Sequence, residues 1–227
     1  MRILHEHAAS DRLAQTLVIL LPGALQPPEQ FLQSGFADAV RARSLPLDLA
    51  MPDLAMRHIA ETIDGSAQRR LHDDVVQPAR RKGYRDIWLA GISIGGLIAV
   101  AYAERYPGDI DGLCLLAPYP GNRLLTNRIR AGGLAQWRPD DAAGDAELRM
   151  WQWLKTHRRQ PDAPAIHLGY GRQDRFADGQ EMMAEALDPA SIDIIDGGHD
   201  WPTWRQLWDN FLDRLAVRPA CSAALRA

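Results

Sequence analysis

The sequence is poor in the residues that build disulfide frameworks and thiol metal sites. Its 227 residues include only two cysteines, Cys114 and Cys221. Cys114 lies in an apolar run, so we expect it to pack as a small hydrophobic residue. Cys221 lies in an Ala-rich stretch, 218–227, that we expect to be frayed. We therefore expect no disulfide between the two cysteines, and no Cys/His spacing predicts a zinc site.

Long apolar runs and an excess of one charge are also missing. No segment is long enough to span a bilayer, and residues 1–7 lack the apolar core of a signal peptide, so a cytoplasmic protein is the expectation. The formal net charge of −3 gives no electrostatic basis for binding nucleic acid. The length fits one domain, which we assign to residues 1–227. The sequence leaves the oligomeric state open.

The sequence does contain an alternation of apolar, strand-like runs with helical patterns. Strands are predicted at 2–8 (an edge strand), 16–21, 45–51, 86–90, 113–117, 165–169 and 192–195. Helices are predicted at 28–40, 66–82, 94–106, 179–187 and 201–215. This alternation predicts an α/β fold, with a mostly parallel sheet covered by helices on both faces. Catalytic groups in such folds collect at the carboxyl ends of the strands.

The alternation breaks between Tyr119 and Pro164, where only helical pieces are predicted. An insertion of this length is usually functional, and we expect residues 119–164 to form a small helical cap. Its apolar residues line either an acyl pocket or the core of the cap itself. These residues are Leu124, Leu125, Trp137, Trp151 and Trp153.

The most informative stretch is Leu89–Gly96, which contains the pattern Gly-x-Ser-x-Gly with Ser93 at its centre. A strand leads into the pattern and a helix follows it. Gly91 and Gly95 lack a Cβ, which allows the backbone to reverse tightly and project the Ser93 hydroxyl beyond the sheet. The N–H groups at the start of the helix favour negative charge near that hydroxyl. The alternative is a tight turn with an inert serine.

This stretch resembles the nucleophile elbow of the α/β-hydrolase superfamily. The resemblance extends from about Thr16 to Leu215. It implies the α/β-hydrolase fold with a small helical cap, and a serine hydrolase similar to small carboxylesterases that needs no metal or organic cofactor. It also implies a base and an acid, which follow the serine in the chain order serine, acid, histidine.

Two residues match the remaining members of such a triad. His199 follows the last predicted strand within a Gly-Gly-His sequence, which is where this superfamily has its base. Asp174 follows the penultimate strand and resembles the superfamily's acid. The rival acids are Asp196 and Asp200, which flank the histidine too closely, and Asp178, which we expect to cap a helix that begins at Gly179.

The resemblance also implies an oxyanion hole made of two backbone N–H groups. One is the N–H of Ile94, and the other is that of Ala24, with Leu25 as the fallback. The Pro-Gly sequence before Ala24 departs from the usual His-Gly, which leaves this part of the site less defined. We expect Leu25, Tyr119 and Trp201 to contact the substrate.

These features predict hydrolysis of a small-molecule ester or thioester with a small or medium acyl group. Thioesterases, lactonases, amidases, lipases, carbon–carbon hydrolases and perhydrolases share the triad, and the sequence does not separate them. A catalytically silent ligand receptor on the same fold is the non-enzymatic alternative. An intact triad argues against that alternative, because a receptor needs none of its three members.

Overall fold

The computed structural model describes residues 1–8, 14–54, 65–139, 145–160 and 163–217. Seven strands in these ranges form one sheet in the order β1-β3-β2-β4-β5-β6-β7. They are β1 (Ile3–Glu6), β2 (Thr16–Leu21), β3 (Leu47–Pro52), β4 (Asp86–Ile92), β5 (Gly112–Leu116), β6 (Ala165–Gly171) and β7 (Ile192–Ile195). The edge strand β1 pairs antiparallel with β3, and the other neighbouring strands pair in parallel. The predicted mostly parallel sheet is confirmed.

Helices cover both faces of this sheet. They are α1 (Glu29–Gln33), α2 (Phe36–Ala42), α3 (Ser66–Leu71), α4 (Gln77–Lys82), α5 (Ile94–Arg105), α6 (Arg123–Gly132), α7 (Ala146–His157), α8 (Ala177–Glu185) and α9 (Trp201–Val217). Buried side chains of α1, α2 and α9 form one core cluster, in which Phe36 stacks on Trp208 at 5.3 Å between ring centroids. The buried side chains of the other helices form a second cluster on the opposite face.

Two predicted helices differ in detail from the structure. The single helix expected at 28–40 is broken into α1 and α2, because Gly35 has the left-handed φ of 77°. The helix expected at 66–82 contains a π-helical turn, His72–Val76, between α3 and α4. Pro78 lies two residues after the end of that turn, and it lacks a backbone donor while its ring crowds the preceding turn of helix. We attribute the widened turn to this proline.

The segment 119–164 contributes to the helix layer on the sheet. Helix α7 packs against α5, and the side chains of Trp151 and Trp153 are buried in the same core cluster as α5. Leu125 of α6 is buried there too, whereas Leu124 is 79% exposed. The tryptophans therefore belong to the core rather than to an open acyl pocket. That the segment acts as a cap over Ser93 stays a prediction.

Two further expectations from the sequence concern membrane spans and the two cysteines. Among the described helices, none is sufficiently long and apolar to cross a membrane. Cys114 is fully buried in β5, as expected for a small hydrophobic residue. Cys221 and the stretch 218–227 lie outside the described residues.

Candidate active site

Ser93 alone connects β4 to α5. Its backbone has φ 53° and ψ −117°, a conformation that costs a non-glycine residue about 1–3 kcal/mol. Three hydrogen bonds hold the backbone in place. The Ser93 N–H donates to the Leu116 carbonyl at 3.1 Å, and the Ser93 carbonyl accepts from the N–H groups of Gly96 and Tyr119, both at 2.9 Å. The strained turn is therefore fixed by its neighbours on β5 and α5.

The two glycines of the elbow stand where a side chain has no room. A Cβ on Gly91 would lie far inside contact distance of the Gly95 carbonyl. A Cβ on Gly95 would lie far inside contact distance of the Leu21 carbonyl and 2.8 Å from the Pro22 carbonyl. The start of α5 thus lies directly against the end of β2, and only glycine permits this approach.

The structure brings Ser93, His199 and Asp174 into one hydrogen-bonded row. His199 Nε2 lies 3.0 Å from Ser93 Oγ, and His199 Nδ1 lies 2.7 Å from Asp174 Oδ2. The other carboxylate oxygen, Asp174 Oδ1, accepts from the Phe176 N–H at 2.8 Å. An ionised carboxylate only accepts, so Nδ1 donates to it and Nε2 is left to accept the Ser93 hydroxyl proton. This arrangement can activate a serine as a nucleophile.

Hydrogen bonds join the loop that carries Asp174 to the loop that carries His199. The Gln173 N–H donates to the Gly197 carbonyl at 3.0 Å, and the Gly197 N–H donates to Gln173 Oε1 at 2.6 Å. The two loops are therefore fixed relative to each other. No pattern in the sequence singles out Gln173, because pairing between two distant loops leaves no local signal.

Two aromatic side chains, Phe176 and Trp204, flank the His199 ring. Both present an edge-to-face geometry, with ring centroids 5.2 Å and 5.1 Å from that of His199 and interplanar angles of 88°. These two flanking rings limit rotation of the imidazole. Trp204 also belongs to the core, since it is 4% exposed.

The expectation for Asp178 was wrong. Helix α8 begins at Ala177 rather than Gly179, so Asp178 lies inside its first turn and makes no side-chain cap. Instead, its carboxylate pairs with Arg130 Nη1 at 3.0 Å. The acid that was expected to cap a helix therefore joins α8 to α6.

The other two rival acids are also engaged away from the imidazole. Asp200 Oδ1 accepts from the Thr203 N–H at 3.0 Å and from the Thr203 hydroxyl at 2.7 Å, at the start of α9. These hydrogen bonds lower the pKa of Asp200. Asp196 is 88% exposed and lies 3.6 Å from Arg172 Nε. Of the acids considered, Asp174 is the one that contacts His199.

The two predicted oxyanion donors belong to segments that meet at the elbow. Ile94 is the first residue of α5, and Gly95 packs against the end of β2, after which the chain leads to Ala24. A short turn fixes the loop that contains Ala24, because the Gly23 N–H donates to Gln26 Oε1 at 2.9 Å. Ala24 is exposed. Its role as a donor stays a prediction.

The three predicted substrate-contacting residues lie in different settings. Leu25 has a φ of 61° and is 74% exposed. Tyr119 packs edge-on against Phe176 at 5.4 Å, and Trp201 packs edge-on against Trp204 at 5.2 Å. Tyr119 and Trp201 thus each contact one of the two rings that pack against His199. Their contact with substrate stays a prediction.

Comparison with known sequences gives two partial matches. A model of the family described as serine aminopeptidase, S33, matches residues 67–137, which include the elbow. The 1-acylglycerol-3-phosphate O-acyltransferase ICT1 of Saccharomyces cerevisiae is 30% identical over 115 residues, which is 48% of this chain and 29% of that protein. The chain thus matches less than a third of the length of this curated relative.

Solved structures with the same fold cover nearly all of the chain. FphF, a fluorophosphonate-binding serine hydrolase of Staphylococcus aureus, has a TM-score of 0.64 at 14% identity and covers 91% of this chain and 85% of its own. A ferulic acid esterase has a TM-score of 0.65 at 16% identity, with 94% and 97% coverage. Est1E of Butyrivibrio proteoclasticus, bound to ferulic acid, has a TM-score of 0.62 at 15% identity, with 95% coverage of both chains.

The chain therefore has the α/β-hydrolase fold, and the fold that the sequence resemblance implied is confirmed. The solved neighbours named above include a serine hydrolase and esterases.

Proposed function

We propose that the protein is a serine hydrolase that cleaves a carboxylic ester of small or medium acyl group through an acyl-enzyme intermediate. The observation that carries the proposal is the row of short contacts, 3.0 Å from Ser93 Oγ to His199 Nε2 and 2.7 Å from His199 Nδ1 to Asp174 Oδ2. A strained serine at a strand–helix turn, in line with an oriented histidine, suits nucleophilic attack on an acyl carbon.

The proposed reaction has two halves. Ser93 Oγ attacks the ester carbonyl while His199 Nε2 takes the serine proton, and His199 then donates this proton to the leaving alcohol. Water attacks the acyl-enzyme in the second half, with His199 again as the base, and the acid leaves. Asp174 stays ionised and stabilises the imidazolium, while the N–H groups of Ile94 and Ala24 hold the oxyanion.

The expected size of the acyl group follows from the surroundings of the site. We assign Leu25, Tyr119 and Trp201 to its border, together with the cap that the sequence predicts over 119–164. Trp151 and Trp153 of that segment are buried in the core and are not available to enclose an acyl chain, which favours a small or medium one. A cytoplasmic location stays a prediction from the sequence.

The test of this proposal is the Ser93→Ala variant on short p-nitrophenyl esters, such as the acetate and the butyrate. Loss of a triad member lowers kcat by about 10³-fold or more. Ser34→Ala, a change at the surface turn between α1 and α2, is the matched control and keeps the wild-type rate. Equal rates for the wild type and Ser93→Ala would refute the proposal.

A second candidate is transfer of the acyl group to an alcohol instead of water. Its support is the partial match to an acyltransferase, 30% identical over 115 residues. Both reactions share the acyl-enzyme and differ only in the acceptor. Adding glycerol to the p-nitrophenyl butyrate assay separates them: a transferase forms glyceryl butyrate as its main product, whereas a hydrolase continues to release butyrate.

A further inference from the structure

A groove of about 340 Å³ lies between the start of α6 and the start of α8. Two of its lining residues, Tyr119 and Phe176, contact Ser93 and His199 respectively. Its lining contains the arginines Arg123, Arg130 and Arg175. The rings of Tyr119 and Phe176 also line it. The groove is therefore lined by both positive charge and aromatic rings.

The positive charge of the groove exceeds its negative charge. Asp178 is the acid in its lining, and this carboxylate is already paired with Arg130. Glu147 contacts two lining residues, because its carboxylate accepts from the Tyr119 hydroxyl at 3.1 Å and from the Asn122 N–H at 2.8 Å. Arg123 and Arg175 are exposed, and neither has an ion-pair partner within the described ranges. Two guanidinium groups are thus left to bind an anion, on a chain whose net charge is −3.

The aromatic wall of this groove is shared with the proposed catalytic residues. Phe176 lines the groove on one side and packs against the His199 ring on the other, at 5.2 Å. Tyr119 also lines the groove, and its N–H donates to the Ser93 carbonyl. The Arg175 guanidinium lies over the Phe176 ring, 4.8 Å from its centroid. A negative charge held at Arg175 would therefore be one aromatic ring away from the imidazole.

We propose that this groove, which we name the arginine groove, binds the anionic end of the substrate while its ester bond lies at Ser93. The substrate class is then an ester that carries a carboxylate or a phosphate group. Guanidinium groups bind both anions through paired N–H donors. The inference rests on the proposed function, because it assigns a substrate class to the same site.

The test compares matched neutral and anionic esters. One arm uses p-nitrophenyl butyrate against p-nitrophenyl hydrogen glutarate, whose acyl group ends in a carboxylate. The other arm uses glyceryl monobutyrate against its 3-phosphate, whose alcohol carries the charge. In wild-type protein, kcat/KM is higher for the anionic ester than for the neutral ester in at least one arm. That arm shows whether the substrate carries its charge on the acyl group or on the alcohol.

The Arg123→Gln/Arg175→Gln double variant lowers the anionic-to-neutral ratio of kcat/KM in that arm by about tenfold or more, since it removes charge-assisted hydrogen bonds. Arg158→Gln/Arg159→Gln, an equivalent loss of two charges at exposed residues directly after α7, leaves the ratio unchanged. A wild type that favours neither anionic ester, or a ratio that the double variant does not change, would overturn the inference.

A binding measurement separates this inference from the proposed function. Glutarate and glycerol 3-phosphate are titrated calorimetrically into Ser93→Ala protein, with and without the two arginine substitutions. Binding that the substitutions weaken about tenfold supports the groove, even if the wild type cleaves no ester and the proposed function fails. Cleavage of neutral esters, without any binding that depends on the arginines, overturns the groove and leaves the hydrolase proposal intact.

Discussion

His199 Nδ1 and Asp174 Oδ2 are 2.7 Å apart, and the Asp174 side chain is completely buried. The carboxylate therefore exchanges contact with water for two hydrogen bonds, one from the imidazole and one from the Phe176 N–H. A buried charge with a defined donor on each oxygen fixes the tautomer and the orientation of the histidine.

The first prediction concerns this contact. In Asp174→Asn the amide keeps the size of the side chain but no longer holds the productive tautomer of His199, so kcat falls by about 10³- to 10⁴-fold. The measurement is steady-state hydrolysis of p-nitrophenyl butyrate. Asp196→Asn is the control, because Asp196 is an exposed acid of the same neighbourhood, and its activity stays at the wild-type level. Similar losses in both variants would contradict the proposed role of Asp174.

The second prediction concerns the elbow. Gly95→Ala places a Cβ against the backbone carbonyls of Leu21 and Pro22, which cannot rotate away, so the free energy of unfolding falls by about 3 kcal/mol or more. Denaturant unfolding measures this change. If the variant does not fold, its yield of soluble protein falls far below that of the wild type, which shows the same clash.

A second glycine variant is the control for the elbow. A Cβ on Gly132, at the end of α6, would meet nothing within 4 Å. Gly132→Ala is therefore expected to change stability by less than about 1 kcal/mol, in the stabilising direction. Equal effects of the two substitutions would show that the close approach of α5 to β2 does not need glycine.

The third prediction concerns pH and His167 in β6. Burial lowers the pKa of His167 to about 4, and the nearby Arg214 adds to this shift while Asp193 opposes it. An unfolded histidine has a pKa near about 6.5, so between these values the unfolded chain binds the proton and the folded protein does not. Stability therefore falls as the pH is lowered from about 6.5 towards 4, by up to about 1.4 kcal/mol per pH unit.

The comparison for this prediction is His167→Gln, which removes the titrating group and keeps a polar side chain. The free energy of unfolding of this variant is measured by urea denaturation across the same pH range. It falls less steeply with decreasing pH than that of the wild type, by up to about 1.4 kcal/mol per pH unit, because the variant lacks the one titrating proton. The slopes of the wild type and the variant would coincide if the folded protein bound the proton at His167 as readily as the unfolded chain does.

The sequence predicted those parts of the structure that have local patterns. Continuous apolar runs predicted the strands, and Gly91 and Gly95 around Ser93 predicted the sharp strand–helix turn. Candidates for the base and the acid followed from their positions after β7 and β6. The structure brings these two residues within hydrogen-bonding distance of each other, and their catalytic roles stay proposals.

The remaining features depend on contacts between distant segments. Phe176 and Trp204 flank one imidazole, although they lie on opposite sides of β7 in the sequence. The bonds between Gln173 and Gly197 likewise join separate loops. The split between α1 and α2 depends on the left-handed backbone of Gly35, a conformation that glycine permits but does not require. No periodicity in the sequence encodes such features.

The central claim is that Ser93 is a nucleophile activated by His199. The most direct measurement is labelling of the purified protein with a fluorophosphonate probe, followed by mass spectrometry of its peptides. The account predicts a single covalent adduct on Ser93, which is absent from Ser93→Ala and strongly reduced in His199→Gln. A wild-type protein that stays unlabelled, as a ligand receptor would, or an adduct that persists in Ser93→Ala, would contradict it.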